Sequence, residues 1–226
     1  MIKGNSQSGF TLIELLISMA IAGVLLSLMV LAFTAQSRSY NTQQDISALQ
    51  EDMKSALQLM SRDIRMAGYD PTNAGSFGVL TPTSPLTLAT VFTATEDLNG
   101  NGIVDAGETI KYYLSGGSLV RDANDGGGKQ PVIDNVTNLA FEYLTMKNNG
   151  PSAAWTPGYT QVPADLKAIR AVKVCMQGRT ARQTSSTKDA SVYSPPIAGL
   201  GTWVPALAGN YQWRTMCIEV ACRNIQ

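Results

Sequence analysis

Residues Asp97 to Glu108 carry oxygen donors at a regular spacing. Asp97, Asn99, Asn101, Asp105 and Glu108 fall at positions 1, 3, 5, 9 and 12 of a twelve-residue run, with Gly102 at position 6. Side-chain oxygens so spaced can wrap one hard cation, the glycine permits the sharp turn, and Ile103 at position 7 can add its backbone carbonyl. A donor set made only of oxygen selects Ca²⁺. Asp105 stands where coordination often runs through water, so it is the least direct ligand. The flank Thr109-Ile110-Lys111-Tyr112-Tyr113 alternates as a strand and not as the exiting helix of an EF-hand. The expectation is a lone calcium loop between strands that stiffens the chain. An ordinary hairpin rich in Asn and Gly would use the same residues.

Other chemistry is sparse. The chain has 226 residues and no histidine. That rules out Ser-His-Asp and Cys-His catalysis and histidine-based zinc chemistry. There is no phosphate loop and no clustered catalytic pair, so no enzyme is expected. Seventeen Lys+Arg balance 17 Asp+Glu, which argues against a nucleic-acid partner. The three cysteines, Cys175, Cys217 and Cys222, lack zinc-site spacing. If the segments holding Lys173 and Glu219 are antiparallel neighbours, pairing those two charges sets Cys175 opposite Cys217. A Cys175–Cys217 disulfide is then expected, with Cys222 a buried thiol on the other face. The rival pair Cys217–Cys222 is set on opposite faces by strand alternation.

The elements that must carry these residues begin with an apolar run. Phe10 to Phe33 is 24 residues with one charge, Glu14. As a helix it spans roughly 36 Å, enough to cross a bilayer core of about 30 Å. It is too long for a signal-peptide core, and its one Ala-x-Ala, Ala20-Ile21-Ala22, lies inside the run. A carboxylate in a membrane helix costs about 2.5–3.5 kcal/mol on insertion scales, so Glu14 is a functional residue by default. Beyond a polar stretch, Ile46, Leu49, Met53, Leu57, Met60, Ile64 and Ala67 step by three or four residues, one stripe on a helix face. Gly68 suits a helix C′ position and Pro71 prevents resumption, so one helix is expected from about Thr11 to Ala67.

The leader MIKGNSQSG followed by Phe10-Thr11-Leu12-Ile13-Glu14 resembles the class III signal of type IV prepilins and pseudopilins. The resemblance implies cleavage between Gly9 and Phe10 by a prepilin peptidase, methylation of the new N-terminus, and a helix retained first in the inner membrane and then in a filament. The N-terminus would face the cytoplasm and the head the periplasm; Lys3 alone is a thin basic flank for that orientation. Glu14, fifth in the mature chain, would neutralise the N-terminal amine of a neighbouring subunit, a pair that matters far more in low dielectric than on a surface. The helix N-terminus itself favours a carboxylate by about 0.3–1 kcal/mol, a local alternative. Ser61 to Tyr69, Val136-Thr137-Asn138-Leu139 with Phe141 and Tyr143, Ile169 to Val172, and Arg223-Asn224 are similar to PilW-type minor pilins, and overlap the J-type minor pseudopilins of type II secretion.

From Gly68 onward the period is two. Strands are expected over Leu86–Thr93, Thr109–Leu114, Val136–Leu144, Ala168–Gln177 and Thr215–Arg223, with a hairpin turn at Gly116-Gly117. Two irregular segments, about 145–166 and 178–214, hold Trp155, Trp203 and Trp213. A one-faced sheet and a striped helix each need a cover, so the expected class is α+β: a long N-terminal helix packed on an antiparallel sheet, the lollipop of pilins. The domain reading is leader 1–9, filament helix 10–33, amphipathic helix 34–67 and head 68–226. The implied role is a minor pilin that co-assembles into, primes or caps a pilus, with other pilins, the peptidase, the assembly platform and membrane lipid as partners. A secretion-system pseudopilin and a pilus-tip adhesin are the alternatives.

Overall fold

The computed structural model describes residues 9–75, 77–81, 90–147, 156–160, 163, 165–183, 203 and 209–225. Leader residues 1–8, Trp155 and the start of the first expected strand lie outside that set. The chain divides into two compact units, Met1–Gln44 and Asp45–Gln226. One helix, α1 (Leu12–Met66), contributes to both.

In the first unit the apolar run is helical, and every side chain from Gly9 to Asn41 is exposed. Its few hydroxyls are satisfied internally. Ser18 donates to the carbonyl of Leu15 at 2.9 Å, Ser27 to Gly23 at 2.8 Å and Thr34 to Leu31 at 2.9 Å. Such back-bonding suits a helix surrounded by hydrocarbon, where an unmet polar group costs several kcal/mol. The helix is long and apolar enough to cross a membrane.

The second unit holds the rest of α1 and two four-stranded antiparallel sheets, not the single sheet expected. The first is a meander, β1 (Phe92–Thr95), β2 (Thr109–Ser115), β3 (Ser118–Asp122) and β4 (Lys129–Ile133). The second has the order β6-β5-β7-β8, with β5 (Val136–Lys147), β6 (Thr156–Thr160), β7 (Ile169–Arg179) and β8 (Trp213–Ala221). Gly116 and Gly117 both have positive φ, 63° and 82°, and close the two-residue β2–β3 hairpin. Strands β4 and β6 were not expected, and β6 lies in a segment read as irregular.

The helix stripe reaches the core. Met53, Met60 and Ile64 are fully buried, in one cluster with Phe92, Tyr112 and Leu119 of the first sheet and Phe141, Val172 and Met176 of the second. The rings of Phe92 and Phe141 lie 5.8 Å apart and tie the sheets together. Each such side chain stabilises the fold by about 1.5–3 kcal/mol through burial. The helix ends as the glycine signalled. Gly68 has φ 78°, Tyr69 N–H reaches the Met66 carbonyl at 2.9 Å, and a Cβ on Gly68 would sit 3.0 Å from the Asn224 carbonyl oxygen. The Gly68 N–H itself donates to Thr95 at 2.9 Å, which stitches the helix end to β1.

Candidate functional site

Three places carry the residues singled out, and a fourth, around Asp63, joins them. At the tip of α1, Thr11 caps the helix and its hydroxyl accepts the Glu14 N–H at 3.3 Å. Phe10 is 85% exposed, and Gly9 and Glu14 are exposed too. The Gly9–Phe10 bond precedes the first helical turn, and both of its residues are exposed. Glu14 lies in the first turn of the helix, among exposed leucines and isoleucines.

The oxygen-rich loop joins β1 to β2 and is wound on its own side chains. Asp97 accepts the N–H groups of Gly100 at 2.6 Å and Gly102 at 3.0 Å. Asn99 accepts from Asn101 at 2.9 Å, and Asn101 from Ile103 at 2.8 Å. Glu108 closes the ring, accepting from Leu98 at 2.9 Å and Asp105 at 2.8 Å. Gly102 has φ 75°, and a Cβ there would meet the Thr72 hydroxyl at 2.9 Å, so both conformation and space require glycine. Asp97 and Glu108 are buried. Among the described residues neither forms an ion pair. Two buried carboxylates met only by N–H donors suit a compensating cation. The remaining geometry does not. The amide nitrogens of Asn99 and Asn101 both donate to Asp105, at 2.8 and 2.6 Å, and hold its carboxyl below the usual carboxylate range. Among the described residues no three acidic, histidine or cysteine side chains gather closely enough to hold a metal.

A polar cluster that no sequence motif marks lies between α1, β2 and β3. Asp63, on the last turns of α1, is buried and accepts Tyr112 Oη–H at 2.6 Å and Arg121 Nε–H at 2.7 Å on one carboxylate oxygen. Arg62 approaches the other oxygen at 3.3 Å. Glu96, adjacent to the loop, is also buried; desolvation, and then the negative charge of Asp63, push its carboxyl above the usual range. Burial, with the Asp63 hydrogen bond, strongly raises the Tyr112 phenol. This cluster fastens α1 to β2 and β3. The only signal in the sequence was an acid inside a buried helix face, three residues after Met60 and next to Ile64.

Strands β7 and β8 pair with Lys173 opposite Glu219 and Cys175 opposite Cys217. The two sulfurs are bonded at 2.07 Å. Cys175 is buried beside Ala140 and Trp203. Cys222 is a free, buried thiol, and desolvation pushes it up to about 12.

Comparison with known proteins places this geometry. Residues 4–30 match the prokaryotic N-terminal methylation motif, and residues 42–194 match the model of prepilin peptidase-dependent protein B. The second match spans well over half of the 226 residues. The chain belongs to the prepilin peptidase-dependent protein B family. It is thus a type IV pilin-like protein whose α+β fold pairs a long apolar helix with antiparallel sheets. Among solved structures it resembles the type IV-like pilin TTHA1219 from Thermus thermophilus, at 15% identity and a TM-score of 0.48, over 78% of this chain and 97% of that one. No curated protein matches it.

Proposed function

We propose that this protein is a minor pilin of the PilW-like type: a structural subunit cut after Gly9, methylated on Phe10, and built into a type IV pilus by its retained helix. The observation that carries the reading is the tip of α1, an exposed Gly9–Phe10 pair followed by a fully exposed apolar helix with one acid, Glu14. An exposed face of that size has two fitting solvents, lipid and the helices of other subunits. Glu14 then supplies register. Unpaired in a filament core it is costly, and the α-amine of Phe10 on a neighbour relieves that cost. A strain carrying Glu14→Ala tests the mechanism: the variant is expected to be cut and retained in the membrane yet excluded from filaments. Normal incorporation of the variant overturns the pairing.

We also propose that the 97–108 loop binds Ca²⁺ through Asp97, Asn99, Asn101, Glu108 and the Ile103 carbonyl, with Asp105 through water. The cation would neutralise the two buried carboxylates, and the Asn99 and Asn101 amides would turn their oxygens inward. Its role is to stiffen the β1–β2 connection. Calorimetric titration of the full chain in detergent is expected to show binding in the range of about 10⁻⁴–10⁻³ M or tighter. No heat at millimolar calcium removes the site.

A further inference from the structure

We infer that the 97–108 loop docks on a phospholipid surface, with a cation in the loop taking a lipid phosphate and Leu98, Ile103 and Val104 entering the boundary between headgroups and acyl chains. This deepens the calcium reading and rests on it. The second unit exposes five large apolar side chains among its described residues, Tyr69, Leu80, Leu98, Ile103 and Val104. Three of them stand on this one loop, Leu98 at 59%, Ile103 at 64% and Val104 at 40%. Single exposed apolar side chains are ordinary, whereas three gathered on one short loop mark a contact surface.

The apolar side chains face solvent because the polar groups of the loop are turned inward. The Leu98 N–H donates to Glu108 Oε1 at 2.9 Å and the Ile103 N–H to Asn101 Oδ1 at 2.8 Å. Asp97 accepts the Gly102 N–H at 3.0 Å, which returns the chain to Asp97 just before Ile103. Asp105, directly after Val104, accepts the amides of Asn99 and Asn101 at 2.8 and 2.6 Å. These acids and amides are engaged within the loop, and its outward surface is left to aliphatic side chains.

Such a surface fits lipid better than protein. A protein contact has an apolar centre ringed by outward hydrogen-bonding groups. Here the outward groups are aliphatic, and the fitting partner is a fluid boundary that accepts apolar side chains without directional bonds. Charge sets the cation requirement. Asp105 is exposed, and the β3–β4 turn adds exposed Asp125 beside Gly107, whose N–H donates to the Asn124 carbonyl at 3.2 Å. Empty, this end of the head is negative and is repelled by an anionic lipid surface. Loaded, the loop carries a dication, and the position that Asp105 fills through water is one that a phosphate oxygen can take instead. Leu98, Ile103 and Val104 supply no side-chain ligand, so docking and cation binding are separable by mutation.

Capture of a second membrane tests the docking. The full chain is held by its helix in phosphatidylcholine nanodiscs, and labelled vesicles of phosphatidylserine and phosphatidylcholine are added with millimolar calcium or with chelator. Capture of these vesicles is expected with calcium, with little in chelator and little on vesicles of phosphatidylcholine alone. Leu98→Ser combined with Ile103→Ser should weaken capture roughly tenfold or more while the calorimetric heat of calcium binding persists. Val104→Ser, a single exposed change, should act in the same direction. Calcium heat without vesicle capture, capture undiminished by these substitutions, or equal capture in chelator or on phosphatidylcholine alone overturns the docking and leaves the calcium site standing. Absence of calcium heat in the parent chain overturns both.

Discussion

Removing the Asp63 carboxylate should cost far more than an ordinary helix substitution. In Asp63→Ala the Arg121 guanidinium loses its 2.7 Å partner and the Tyr112 hydroxyl its 2.6 Å acceptor. Breaking one side of a buried charge pair costs about 3–5 kcal/mol, and this is an upper bracket here because the remaining Arg121 side chain is 24% exposed. Tyr112→Phe keeps the pair and removes one charge-assisted hydrogen bond, so about 1.5–3 kcal/mol is expected. For a unit of this size each kcal/mol lowers Tm by about 2–4 °C, which puts the Asp63→Ala shift at roughly 6–20 °C. Buried Trp213 makes near-ultraviolet circular dichroism of the detergent-solubilised chain a suitable probe. The double variant should be less destabilised than the sum of the two singles, since both act on one carboxylate. An Asp63→Ala chain melting within about 2 °C of the parent would refute the cluster as the fastening of α1 to the sheet.

Three further outcomes follow from the same neighbourhood and from the cysteines. Glu96 has a folded pKa raised above its ordinary 4.5, so its contribution to stability is complete below that pH and declines as pH rises through the folded value. In calcium-free buffer Glu96→Gln should therefore stabilise the chain at pH 7 and match the parent near pH 4, as read from urea midpoints. Opening the Cys175–Cys217 bond, which spans 42 residues, should cost about 4 kcal/mol on the chain-entropy account; equal urea midpoints for the parent and the Cys175→Ser, Cys217→Ser variant would contradict it. Cys222, buried and with its thiol pushed up to about 12, should resist iodoacetamide at pH 8 until the chain is unfolded, as followed by peptide mass.

Much of this arrangement was legible before any coordinates. The stripe from Leu49 to Ala67 and the stop at Gly68 follow from helical period and the tolerance of glycine for positive φ. The β7–β8 register follows from one charge pair and one cysteine pair pointing to the same alignment. What escaped has physical reasons. Strands β4 and β6 are sheet edges, and each contains a proline, Pro131 and Pro157, which a ladder tolerates only at an edge and which reads locally as a turn. The division into two sheets depends on which strands pair at long range, and alternation within a strand is silent on that. Asp63 looked like one more polar residue on a helix. Its partners, Tyr112 and Arg121, lie 49 and 58 residues away, and only the folded chain brings them together.

The central claim is that the chain is trimmed yet keeps its apolar helix. Intact-mass and N-terminal peptide spectrometry on protein isolated from sheared surface filaments addresses it directly. The account predicts a chain beginning at a methylated Phe10 and running through Glu14 and the helix without a second cut. A chain still carrying Met1–Gly9, or one beginning beyond Phe33, would contradict it.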